Sequence, residues 1–203
     1  MSVVGLRLKR DLKGIPSIEI EDVKPKKTIA TTRSFETIYT EFEDVKERIV
    51  TFAVVCAEKL RKQKSLAGAI MVFLHTNFHN KTQAQYSKNF VLKLPFATNS
   101  SIELAKFAIE ALGKIYLKGY NYKKAGVVVL DLVPMNNFQH TLFQSSNPTH
   151  SKLMVVLDSI NSSYGSQKVR LASQSLGRVW KMNQERVSPH YTTRIEEIIV
   201  VNA

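Results

Sequence analysis

The chain has 203 residues, room for one medium domain with appendages rather than two full domains, and its 44% hydrophobic residues suffice for a core. A net charge of +12 points to a polyanionic partner, nucleic acid ahead of an acidic membrane surface. No stretch supplies the roughly 20 apolar residues of a membrane span, the N-terminus lacks signal-peptide order, and the lone Cys56 excludes an internal disulfide, so a cytoplasmic protein is expected.

Residues 1–27 read as a short helix followed by the basic connector EDVKPKK. KTIATTRSF (Lys27 to Phe35) has strand composition. A helix follows, its start marked by Thr40 and Glu43 at capping-box spacing and its inner stripe by Val45, Ile49, Phe52, Cys56 and Leu60. Ala67 to Thr76 and Gln85 to Pro95 read as two more strands. The second of these alternates Tyr86, Phe90, Leu92 and Leu94 against Ser87, Asn89 and Lys93. Another helix opens at Ser100, carries Ala105, Ala108, Ile109, Leu112, Ile115 and Tyr116 inward, and stops at Gly119; Tyr122 to Pro134 is the fourth strand. The order β-α-β-β-α-β predicts an α+β domain over 28–134, one four-stranded sheet with both helices on one face and the other face open.

A polar linker over 135–149 leads into a small, mainly helical unit over 150–203. Its first helix spans His150 to Gly165 with Leu153, Val156, Leu157 and Ile160 aligned, and at about 50 residues it is expected to lean on something else for stability. Charge is uneven: residues 1–149 hold 22 Lys and Arg against 13 Asp and Glu, while 150–203 hold 7 against 4. The polyanion footprint therefore belongs mostly to the sheet domain and its leading connector.

Lys24, Lys26, Lys27 and Arg33, interleaved with the hydroxyls of Thr28, Thr31, Thr32 and Ser34, are the donor types that grip a phosphate backbone. Lysines guarding an exposed sheet edge would give the same pattern. No catalytic constellation is visible. The carboxylates lie scattered on helices (Glu41, Glu43, Asp44, Glu47) or alone (Asp131, Asp158), where a solvated face is the reading, and His75 and His79 flank a turn rather than bind zinc.

TTRSF (Thr31 to Phe35) followed by a long helix ending AEKLRKQ (Ala57 to Gln63) resembles the start of the little-finger domain of Y-family translesion DNA polymerases. LMVVLDSIN (Leu153 to Asn161), Tyr164 with Gly165, Trp180 with Met182, and SPHYTTR (Ser188 to Arg194) resemble the C-terminal extension of the UmuC-type subunits of DNA polymerase V. Trp180, Ser188, Tyr191, Thr192 and Arg194 carry that second signature.

The resemblance implies that residues 1–27 end a polymerase thumb and its tether. A palm with its catalytic carboxylates and Mg2+ would lie upstream, and this chain would be a fragment inactive by itself, with no cofactor of its own. It implies template-primer DNA on the polar sheet face, with Thr32, Arg33 and Ser34 on template phosphates and Lys88 and Lys93 flanking the groove. Glu36 stands where the family usually has Gly, so either it turns away from DNA or the chain takes another path there. His190 and Ile195 stand where the tail often has Arg and Trp.

QHTLF (Gln139 to Phe143) resembles the bacterial sliding-clamp-binding peptide, which implies Gln139 at the edge of the clamp pocket, Leu142 and Phe143 within it, and a contact weakened by His140 in place of the usual Leu. UmuD-type and RecA-type proteins are further partners that the resemblance implies, in SOS mutagenesis and DNA repair. Two other readings stay open: a stand-alone DNA-binding accessory protein, and an RNA-binding α+β domain, which ranks lower because the strands lack clustered exposed aromatics.

Overall fold

The computed structural model describes residues 2–17, 24–137, 146–174 and 187–198. Helix α1 (Val3–Leu12) buries none of its residues. The main body then runs β1 (Ile29–Tyr39), α2 (Phe42–Lys62), β2 (Ser65–Thr76), β3 (Ser87–Thr98), α3 (Ser101–Ile115) and β4 (Tyr122–Pro134). Helix α4 (Pro148–Tyr164) follows, with short 3-10 turns at Met135–Asn137 and Ile195–Glu197.

The strands form one antiparallel sheet in the order β1-β4-β2-β3, and α2 and α3 pack together on one face of it, as the element order predicts. All five residues of the α2 stripe are buried, and they meet Ile70, Val72, Leu74, Val127 and Val129 from the sheet. Burying each such side chain contributes about 1.5 to 3 kcal/mol.

Helix ends differ from the sequence reading. The N-cap of α2 is Glu41, not Thr40, whose hydroxyl bonds the Glu41 carboxylate, so no capping box forms. Helix α3 does start after Ser100, but Glu103 is drawn away from the cap by a different set of partners, and the helix ends at Ile115 with Tyr116 already extended. Gly119 lies in the following turn at φ +96. Leu104 and Ala111 also belong to the buried stripe of α3.

Helix α4 docks by a face that hydrophobic periodicity did not reveal. Leu153 and Val156 are 46% and 56% exposed, whereas Met154 is buried, flanked one turn either way by His150 and Asp158. Asp158, expected on a solvated face, holds Arg61 of α2 in a two-pronged ion pair with both N···O distances 2.6 Å. Arg61 also donates to the Asn99 carbonyl and to Ser101 Oγ, so one guanidinium joins α2, the β3–α3 corner and α4. Glu103 does the same at the other end: its carboxylate accepts from Thr98, Ser146 Oγ and the Asn147 amide, and lies 3.2 Å from His150 Nδ1.

Candidate nucleic-acid interface

The face opposite the helices is composed by strand register. One row across the sheet aligns Ser34, Lys124, His75 and Ser87; the next, Thr32, Gly126, Phe73 and Asn89. A third aligns Ala30, Val128, Met71 and Val91, and a fourth Leu130, Ala69 and Lys93. Alternation sends these side chains away from α2 and α3. The rows contain two lysines, three hydroxyls and an amide, and no carboxylate.

The predicted residues divide between this face and its surroundings. Thr32 and Ser34 stand on it beside Lys124, and Lys93 at its far corner. Arg33 and Lys88 belong to the helix-side row, through Ala125 and Leu74, but they lie on the two edge strands and are exposed there, one at each border of the sheet. Lys26 and Lys27 are exposed on the connector, which Gln63 pins by exchanging two hydrogen bonds with the Lys26 backbone. The hydroxyl of Thr31 is inside: it accepts from Lys59 Nζ at 3.1 Å and lies 3.3 Å from Cys56 Sγ. Lys59 also donates to the Ala30 carbonyl, so α2 braces β1 from beneath. Burial pushes the Cys56 thiol up, against the pull of Thr31 and Lys59, which keeps it protonated.

Glu36 falls where the β1–β4 register breaks, between Ser34 and Tyr39. Phe35 is buried there against Tyr39, with ring centroids 4.9 Å apart, and Lys123 donates to the Glu36 carbonyl. The β1–β4 ladder is therefore interrupted at this residue.

Sequence reading missed the aromatic groups on this face. Phe73 and His75 lie 4.9 Å apart, and His75 and Phe78 5.4 Å, centroid to centroid. The run AGAIMVFLHT reads as a uniformly apolar strand. Only the alternation within it, Val72 and Leu74 inward against Phe73 and His75 outward, could have shown them. Arg61 and Glu103 were equally hidden, since a charged residue on a helix end or first turn looks solvated until its partners are known.

His75 lies at the end of β2, whereas His79 is within the turn Asn77 to Asn80 rather than flanking it; among the described residues no group of three His, Cys, Asp or Glu could hold a metal ion. Nor is any described helix long and apolar enough to cross a membrane. Ser188, Tyr191, Thr192 and Arg194 are exposed in the tail, where Arg194 pairs with Glu197. Gln139, Leu142, Phe143 and Trp180 lie outside the described residues.

Two family models match. Residues 26–142 match the impB/mucB/samB family C-terminal domain, and residues 151–201 a domain of unknown function, DUF4113. Among curated proteins, UmuC of Salmonella typhimurium is 32% identical over 98% of this chain and 48% of its own length. ImpB of the same organism is 34% identical over 97% of the chain and 47% of its own length, and MucB of Escherichia coli 32% over 94% and 46%. The chain thus spans about half the length of the curated relatives it matches.

Proposed function

The chain belongs to the impB/mucB/samB family through its C-terminal domain, and from that premise we propose that it is the DNA-gripping and clamp-docking portion of an error-prone translesion polymerase of SOS repair and mutagenesis. The observation that carries the reading is the open sheet face, with lysines and hydroxyls and no carboxylate in its rows, bordered by Arg33 and Lys88. Such donors bind phosphates of any sequence, which suits an enzyme that copies damaged template. The Lys59 brace beneath β1 holds Thr32, Arg33 and Ser34 on a rigid strand. Polymerisation and its Mg2+ belong, on this reading, to a palm domain in the full-length protein; UmuD-type and RecA-type partners belong to that whole protein too.

Binding of duplex DNA should weaken steeply with salt. Arg33→Ala should lower the affinity about tenfold and reduce the slope of log K against log salt by about one, the loss of one phosphate contact. Fluorescence anisotropy across a salt series measures both, and an unchanged slope and affinity would remove the DNA reading. For the clamp contact, replacing Leu142 and Phe143 together by Ala should abolish retention on immobilised sliding clamp while leaving duplex affinity intact. Equal retention would remove Gln139, Leu142 and Phe143 as its anchors.

A further inference from the structure

The aromatic groups at the β2–β3 end of the open face have no role in a phosphate grip. Phe78 is 57% exposed, yet its turn is well tied. Asn77 caps it through His79 N and Asn80 N, and Gln85 spans it, donating to the carbonyls of Asn77, Asn80 and Gln83 while accepting from Thr76. The phenyl ring is thus presented by a fixed loop. His75 is oriented by a 2.7 Å hydrogen bond with Ser87, and burial together with Lys124 holds its imidazole below the usual histidine range, so it is a neutral ring near neutral pH.

Phe73 lies over Gly126, where an added Cβ would come within 2.5 Å of its ring, and is half-buried. The three rings form a stepped surface with interplanar angles of 42° and 52°. Lys124 stands in the same row as His75, and no carboxylate shares the rows.

Stacked bases in a duplex offer only their edges to a groove; a π face becomes available when a nucleotide is unpaired. We propose that Phe73, His75 and Phe78 form a stacking step for an unpaired base of single-stranded DNA where the template strand leaves the duplex held on the sheet. This rests on the DNA-binding reading above and adds a preference that phosphate contacts cannot supply. Stacking on an aromatic side chain is sequence-tolerant and worth about tenfold in affinity per base.

The test compares, by fluorescence anisotropy on the whole chain, a blunt duplex, the same duplex with a single-stranded template extension, and that extension with abasic sites at its first nucleotides. The extended duplex should bind about tenfold tighter than the blunt one. The gain should vanish with the abasic extension and with Phe78→Ala, and persist in Phe78→Trp. Circular dichroism confirms that each variant is folded. Equal affinity for blunt and extended duplexes, or a gain that survives both the abasic sites and Phe78→Ala, overturns the stacking step while leaving the phosphate grip standing. Loss of blunt-duplex binding with retained, Phe78-dependent binding of the extension alone overturns the grip and keeps the step. An RNA extension bound more tightly than the DNA one overturns the assignment to template DNA.

Discussion

At the residue scale, several side chains act through contacts their type does not announce. Thr31 belongs to TTRSF with Thr32 and Ser34, yet its hydroxyl closes a bond network with Cys56 and Lys59 inside the domain. Period two decides this: neighbours on a strand face opposite sides. Gly126 is the reverse case, a residue whose lack of a side chain is used. Gly126→Ala would set a Cβ 2.5 Å from the Phe73 ring and 2.6 Å from the Thr32 methyl, both fixed in the sheet, so it should destabilise the domain by about 1 to 3 kcal/mol. Urea denaturation measures this; an unchanged midpoint would mean that Phe73 can move aside at no cost. Neither role is readable locally: the partners of Thr31 lie on α2, 25 and 28 residues along the chain, and those of Gly126 lie on the neighbouring strands β1 and β2.

At the element scale, both α2 and α4 were legible as helices, but only the buried face of α2 was, for one reason. The stripe of α2 is apolar throughout, so its 3.6-residue period names the buried face. The docking face of α4 is His150, Met154 and Asp158, one apolar residue between two polar ones, whereas Leu153, Val155 and Val156 are exposed. What holds α4 is the Arg61–Asp158 pair and the Glu103 cluster. Arg61 is 11% exposed at its side chain and Asp158 32%, so removing one partner leaves a partly buried charge unmatched. Asp158→Ala should therefore loosen α4 by about 2 kcal/mol. Hydrogen exchange should rise across Pro148–Tyr164 and stay low in α2 and β2; unchanged protection of α4 would show that Met154 suffices to dock it.

At the scale of the whole molecule, the sheet has one face covered by α2 and α3 and one whose rows near the β2–β3 turn are polar, basic and aromatic and whose other two rows are mainly apolar. Net charge alone would draw DNA to any side of the protein. If the open face is the binding surface, Lys124→Glu should weaken duplex binding severalfold more than Lys106→Glu on α3, although both change the net charge equally. Equal losses in anisotropy titrations would mean unspecific attraction. The sequence by itself determined the six elements of the domain, their α+β order, the α2 core stripe, the basic connector and the hydroxyl-rich character of β1, because these follow from local period and composition. The tertiary structure alone decided that Phe73, His75 and Phe78 meet beside Lys124, that Arg33 and Lys88 stand at opposite borders, and that Arg61 and Glu103 anchor α4. Apart from the alternation that turns Phe73 and His75 outward, those juxtapositions depend on strand order and helix docking, which bring together residues far apart in the chain.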